Sequence, residues 1–133
     1  MTAVPEPIVQ ATQYRVNCLP EDDYDSHVFA LTVEYRGNGR WGVFRNPHCC
    51  LGSDGEWSWG YTWGSGDSEP STDEEWTAYH AGRDAWLDAH RFDEETALKL
   101  AKEHAPHVTV NGFTIADAMR MNATRDAKRA ARE

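Results

Sequence analysis

No run of apolar residues in the 133-residue chain is long enough to cross a bilayer. The opening MTAVPEPIVQ lacks the basic start and the apolar stretch of a secretory signal. Cysteine is scarce, with three residues, of which Cys49 and Cys50 are neighbours. Adjacent cysteines rarely bridge each other, so reduced thiols are the simpler interpretation. These absences predict a cytoplasmic protein with no membrane partner.

Sequence motifs of common enzyme classes are also missing. There is no Gly-x-Ser-x-Gly elbow, and the glycines of GNGRWG precede a predicted strand, as in a hairpin turn, and not a helix, as in a phosphate loop. Zinc sites usually contain Cys-x₂₋₄-Cys pairs, which the chain lacks, so Cys18, His48 and Cys49 are only weak metal candidates. We therefore predict no cofactor, no metal and no catalytic residue, and the sequence leans away from an enzyme.

Charge is unevenly distributed along the chain, whose formal net charge is −9. Residues 1–70 and residues 71–119 each carry ten acids and four bases, whereas residues 120–133 carry five bases and two acids. An acidic body repels phosphate, so nucleic acid could bind only through the basic C-terminal tail.

The first half of the chain has the pattern of strands and tight turns. Residues 14–19 and 27–35 alternate apolar and polar side chains, and RGNGR leads into a returning strand, RWGVFR. Asp54-Gly55 is a candidate type I′ turn for a second hairpin. We expect an antiparallel meander of four or five strands.

The second half has helical signals. Ser71 with Glu74, or Thr72 with Glu75, predicts the start of one helix, and Asp93 caps a second. VTVNGFTI predicts a short strand and a tight turn, followed by a third helix that starts after Thr114. The apolar face of that helix is expected to contain Ile115, Ala118, Met119 and, less clearly, Met121.

The predicted fold is therefore α+β, with the first-half sheet covered on one face by two or three helices. Residues 1–13 are expected to form a loose arm, residues 14–122 a single domain, and residues 123–133 a basic, partly solvated helical tail.

Three segments carry a resemblance to a known group: YRVNCLPEDDYDSHVFALTVEYRG, the tryptophan-rich middle, and HRFDEETALKLAKEHAPHVTVNGFTIADAM. Over roughly residues 14–119 the chain resembles uncharacterised small accessory proteins of tailed phages that infect actinobacteria. The resemblance implies a phage-encoded accessory protein in the cytosol of a bacterial host, and it implies no activity and no site residue.

Residues 57–63 place Trp57, Trp59, Tyr61 and Trp63 at alternate positions. On an extended strand such side chains share one face, so the sequence predicts an aromatic ladder on the last strand. Trp57 and Trp59 are expected in the core, and Tyr61 and Trp63 are interpreted as facing a partner. Trp59 stays a binding candidate with them, because the ladder could instead form a stacking platform for a ligand.

Four bases of the C-terminal tail fall on one face of the predicted third helix: Arg125, Lys128, Arg129 and Arg132. Cations suit a helix C-terminus, which is one explanation of the pattern. The other is contact with an acidic partner, with nucleic acid, or with the acidic body of another copy in a homo-oligomer.

Two functional hypotheses follow. The first is a phage-encoded, non-enzymatic protein that binds a host or phage protein through exposed aromatic and charged surfaces. The alternative is a small-ligand or nucleotide-binding module that uses the aromatic strand as its platform.

Overall fold

The computed structural model describes residues 3–132, in which five strands form one antiparallel sheet. The strands lie side by side in chain order: β1 (Gln13–Val16), β2 (Leu31–Tyr35), β3 (Trp41–Asn46), β4 (Cys49–Leu51) and β5 (Trp57–Ser58). The helices are α1 (Ser26–Phe29), α2 (Asp73–His90), α3 (Glu94–His104) and α4 (Ile115–Arg132), and a single 3-10 turn (Ala105–His107) follows α3. This architecture confirms the predicted α+β class, with the meander in the first half and the three long helices in the second.

One face of the sheet, here called the core face, is dry. Its buried side chains come from three strands, from α3 and from the 3-10 turn that follows α3: Leu31, Val33, Trp41, Val43, Leu51, Ala97, Ala101 and Ala105. The methyl groups of the α3 alanines leave room for the larger side chains of the sheet, so helix and strands pack without a gap. A smaller cluster of Leu19, Phe29, Ile115 and Ala118 joins α1 to the start of α4.

The strand register shows which residues lie on the opposite face of the sheet, here called the polar face. The pairing aligns one row across all five strands: Arg15, Thr32, Phe44, Cys50 and Ser58. Beside this row lies an open groove of about 590 Å³, lined in part by Arg15, Thr32, Glu34 and Arg36. The helices of the second half therefore bury mainly the core face.

The helix starts agree with the sequence. At α2, the amide of Glu75 donates to Thr72 Oγ1 at 3.1 Å, which selects Thr72 from the two predicted caps. At α3, the amide of Thr96 donates to Asp93 Oδ1 at 2.7 Å. Thr114 and Asp117 satisfy each other's amides ahead of α4. In residues 3–132 no helix combines the length and the apolar character that a bilayer crossing requires.

Of the predicted turns, Asn111-Gly112 agrees with the expectation and Asp54-Gly55 differs from it. Asn111 and Gly112 both have positive φ, 51° and 81°, and Val110 pairs with Phe113, so the predicted tight turn is confirmed. At Asp54-Gly55 only the glycine has positive φ, 83°. A type I′ turn needs positive φ at both residues, so that prediction is wrong, and the Gly55 amide instead donates to the Gly52 carbonyl at 3.0 Å.

Two further expectations are wrong. Residues 27–29 belong to α1 and not to a strand, because the amides of Val28 and Phe29 both donate to the Asp25 carbonyl and close a helical turn. On α4, Met119 and Met121 are largely exposed. The buried face of that helix consists of Ile115, Ala118 and Asn122, which lie three and four residues apart.

Candidate partner-binding site

The aromatic segment does not form a ladder. β5 contains only Trp57 and Ser58, and Gly60, with φ of 128°, turns the chain away from the sheet two residues later. The alternation of aromatic residues therefore continues past the end of the strand, where it no longer determines which way a side chain points.

Trp57 and Trp59 consequently have different environments. Trp57 is half-buried against the core-face cluster and lies near His104 and Arg45. Trp59 is 73% exposed, so the expectation that it belongs to the core is wrong. An indole this exposed contributes little to folding, and it is available to a partner.

Tyr61 and Trp63 pack against α2. Their ring centroids lie 5.5 and 6.1 Å from that of Tyr79, both in edge-to-face geometry. The ring centroid of Trp76 also lies 5.5 Å from that of Tyr79, and the Trp76 side chain is partly exposed. These edge-to-face contacts are favourable for aromatic rings, so Tyr61 and Trp63 hold the loop against α2 and keep part of their surface in solvent.

Gly82 explains how the loop comes so close to α2. A β-carbon at this position would lie 2.4 Å from the hydroxyl oxygen of Tyr61, so any larger residue would force the Tyr61 side chain to shift. The cluster of Tyr61, Trp63, Trp76 and Tyr79, together with the exposed Trp59, is here called the aromatic surface.

The charge around the aromatic surface is strongly negative. Residues 57–90 carry seven acids (Asp67, Glu69, Asp73, Glu74, Glu75, Asp84 and Asp88) and a single base, Arg83, for a net charge of −6. Of these acids, Asp88 pairs with Arg40 at 2.7 Å, and Glu75 accepts the Ser71 amide at 3.1 Å. The segment that carries the aromatic surface is therefore acidic, which favours cations over phosphate.

A second group of rings joins the end of α2 to the polar face. Trp86 stacks on His90 with centroids 4.1 Å apart and donates its indole N–H to Ser58 Oγ at 3.2 Å. The Arg91 guanidinium lies 5.4 Å from the Trp86 ring and 5.5 Å from the Phe44 ring. The Arg36 guanidinium also lies over the Phe44 ring, at 4.2 Å from its centroid. This stack has a structural role: it anchors α2 to the polar face through planar cations and rings.

The basic tail is helical to Arg132, and its last buried residue is Asn122. Within the described chain, Arg125 lies over the Tyr24 ring at 4.8 Å, and Lys128, Arg129 and Arg132 have no carboxylate within 4.0 Å. The four predicted basic residues are therefore exposed, and Arg125 contacts the Tyr24 ring.

The weak metal candidates lie in unlike environments. Cys18 and His48 are exposed, whereas Cys49 is buried. Burial raises the pKa of the Cys49 thiol, against a smaller opposite effect of Arg45, and so favours the protonated form that binds metal poorly. Across residues 3–132 no three His, Cys, Asp or Glu side chains are placed to hold a metal ion together.

Sequence reasoning missed the groove on the polar face. Its residues come from β1, β2 and β3, from α1 and from the loops beside them, and the strand register brings the strand residues together. The available signal was the alternation of Arg15, Thr32 and Glu34 with apolar neighbours, which marks a solvated sheet face but no ligand.

Comparison with known proteins adds no relative: no protein-family model, no curated protein and no solved structure matches the chain.

Proposed function

We propose that the protein is a non-enzymatic binding module whose aromatic surface docks a basic segment of a partner protein. The observation that carries this proposal is the exposed Trp59, two residues before a partly exposed aromatic cluster in the chain, in a segment with a net charge of −6. Following the resemblance stated above, the protein is a phage accessory protein, and the partner is a host or phage protein in the bacterial cytosol.

The chemistry of the surface favours lysine and arginine as the residues it recognises. A cation over an exposed indole gains about 0.5–1 kcal/mol, and more when the pair is desolvated. Tryptophan and tyrosine are enriched among the residues that dominate binding energies at protein interfaces. The surrounding carboxylates add attraction at long range, which accelerates encounter with a basic partner.

The alternative function, a nucleotide-binding module, is disfavoured by the same charges. A nucleotide would bring phosphate into a segment with seven acids and one base. Tyr61 and Trp63 also contact Tyr79 edge-on instead of presenting parallel faces between which a base could slide. A panel of nucleotides and sugars that leaves tryptophan emission unchanged is therefore the expected result.

The test is quantitative capture from an actinobacterial lysate that has been treated with nuclease. We expect wild-type protein to retain a partner whose binding weakens with salt, and Trp59→Ala to lose it. With the partner purified, a residue at the centre of the interface should cost about 2 kcal/mol or more, roughly a 30-fold loss of affinity.

The matched control is Tyr24→Ala, because Tyr24 is an aromatic residue with the same 73% exposure, near α4 and outside the aromatic surface. This variant should retain the partner. If Trp59→Ala and the control capture the same proteins in the same amounts, the aromatic surface is not the binding site.

A further inference from the structure

The N-terminal arm, residues 3–12, carries apolar side chains that the described chain leaves uncovered. Val4, Ile8 and Val9 are 91%, 91% and 97% exposed. The arm forms neither helix nor strand and runs directly into β1 at the edge of the sheet. Pro5 and Pro7 restrict the backbone to extended conformations, so the arm loses less entropy on binding than a flexible segment would.

A matching apolar groove lies at the opposite end of β1, between α1 and α4. Its lining is mostly apolar: Val28, Phe29, Val110, Phe113, Ala118 and Met121. Phe113 and Met121 are each about half exposed, and the cavity between them measures about 130 Å³. An apolar cavity on the order of 150 Å³ accommodates a benzene-sized group, so this groove takes one branched aliphatic side chain.

The charge of the arm is opposite in sign to the basic residues of α4 beside the groove. Glu6 is the single charged residue of the arm. Arg120 and Arg125 line a neighbouring pocket on α4 that shares Met121 with the groove. There Arg120 pairs with Asp117 and Arg125 lies over Tyr24, and Asp25 belongs to the lining of the groove itself. An arm with Ile8 in the cavity would have Glu6 two residues away, within about 7 Å along the chain and so within reach of this basic surface.

The path of the arm favours another copy over its own body. β1 pairs antiparallel with β2, so Gln13 lies opposite Glu34, whereas Val16 lies opposite Leu31, next to the end of α1. The arm thus leaves β1 at the end far from the groove. To reach its own groove it would have to reverse direction through Gln10, Ala11 and Thr12, which include none of the Gly, Asn, Asp or Pro residues that turns favour.

We infer that two copies of this chain associate by exchanging their N-terminal arms, each arm placing Ile8 or Val9 in the α1–α4 groove of its partner. The exchange buries one of the most exposed apolar side chains of the described chain and fills the groove. The arm exchange involves no residue of the aromatic surface. Dimerisation can therefore be present or absent independently of binding to the proposed partner protein.

The experiment is sedimentation equilibrium on the full chain over a range of concentrations. We expect wild type to dimerise and the arm variant Ile8→Asp/Val9→Asp to shift the equilibrium to monomer, with a dissociation constant at least about tenfold higher. Both changed residues are exposed, so circular dichroism should show an unaltered fold.

The groove is tested from the other side with Met121→Asp, matched by Met119→Asp. Both methionines are exposed on α4, but only Met121 lines the groove. Met121→Asp should weaken the dimer, and Met119→Asp should leave it intact. A wild-type chain that stays monomeric at every concentration that remains in solution overturns the inference, as does a dimer that survives the arm variant or responds equally to both methionine variants.

Discussion

The two faces of the sheet are stabilised by different physical means. The core face buries Leu31, Val33 and Leu51 completely beneath the alanines of α3. The polar face buries Phe44 in contact with two guanidinium groups, those of Arg36 and Arg91, and leaves Arg15 and Glu34 beside an open groove. Apolar burial gains stability in proportion to the area removed from water, whereas partly solvated cation–ring contacts gain much less. We conclude that most of the folding free energy comes from the core face.

The largest expected effect compares two neighbours on β2 that point to opposite faces. Leu31→Ala should lower the free energy of unfolding by about 2–5 kcal/mol, because it leaves a cavity under α3. Thr32→Ala removes a hydroxyl that donates to Glu34 Oε2 at 2.9 Å, and it should cost about 1 kcal/mol or less. Urea unfolding followed by tryptophan emission measures both. Similar losses at the two positions would show that the faces contribute equally.

A smaller effect is expected where α2 meets the polar face. Arg91→Ala removes the guanidinium between Trp86 and Phe44, together with its hydrogen bond to the His90 carbonyl at 2.8 Å. We expect a loss of about 1–2 kcal/mol in the free energy of unfolding. Arg91→Lys should recover only part of it, because an ammonium keeps the charge but not the planar contact.

The matched control is Arg83→Ala, an exposed arginine within α2, which Arg91 directly follows. Thermal unfolding of this variant should remain within about 0.5 kcal/mol of wild type. If Arg91→Ala is no more destabilised than Arg83→Ala, the contacts between Arg91 and the rings do not anchor α2.

Local signals predicted most of the fold. The hydrogen bonds that start α2, α3 and α4 lie within a few residues of Thr72, Asp93 and Thr114, so the sequence contains the whole interaction. The same holds for the Asn111-Gly112 turn, whose two residues both need positive φ. Strand order also followed from the alternation of strands and short turns.

The candidate site was predicted less well because its geometry depends on distant contacts. The alternation from Trp57 to Trp63 indicated one face, but β5 ends at Ser58, Gly60 has a positive φ, and Tyr61 instead packs against Gly82 of α2. Periodicity cannot reveal where a strand ends, so the exposure of Trp59 was not foreseen. The polar-face groove likewise depends on register between strands, which the sequence did not specify.

The smallest expected effect on stability concerns the N-terminal caps of α2 and α3, which differ in whether they titrate. α3, on the core face, is capped by the carboxylate of Asp93, and α2, which meets the polar face, is capped by the hydroxyl of Thr72. Hydrogen bonds from Thr96 to the Asp93 carboxylate lower its pKa in the folded protein. The stabilisation is therefore fully present above the ordinary aspartate pKa of about 3.9 and is lost as pH falls from there through the lower folded value. The Thr72 cap does not titrate.

Asp93→Asn tests this difference because asparagine is also a good N-cap but carries no charge at any pH. Stability measured by urea unfolding between about pH 6 and pH 3 should fall more steeply for wild type than for the variant. Thr72→Asn supplies the control, since it should leave the pH dependence of wild type unchanged. The pKa of Asp117, which Thr114 also lowers, contributes equally to all three proteins and cancels in the comparison. Parallel pH curves for wild type and Asp93→Asn would mean that the α3 cap contributes nothing to acid sensitivity.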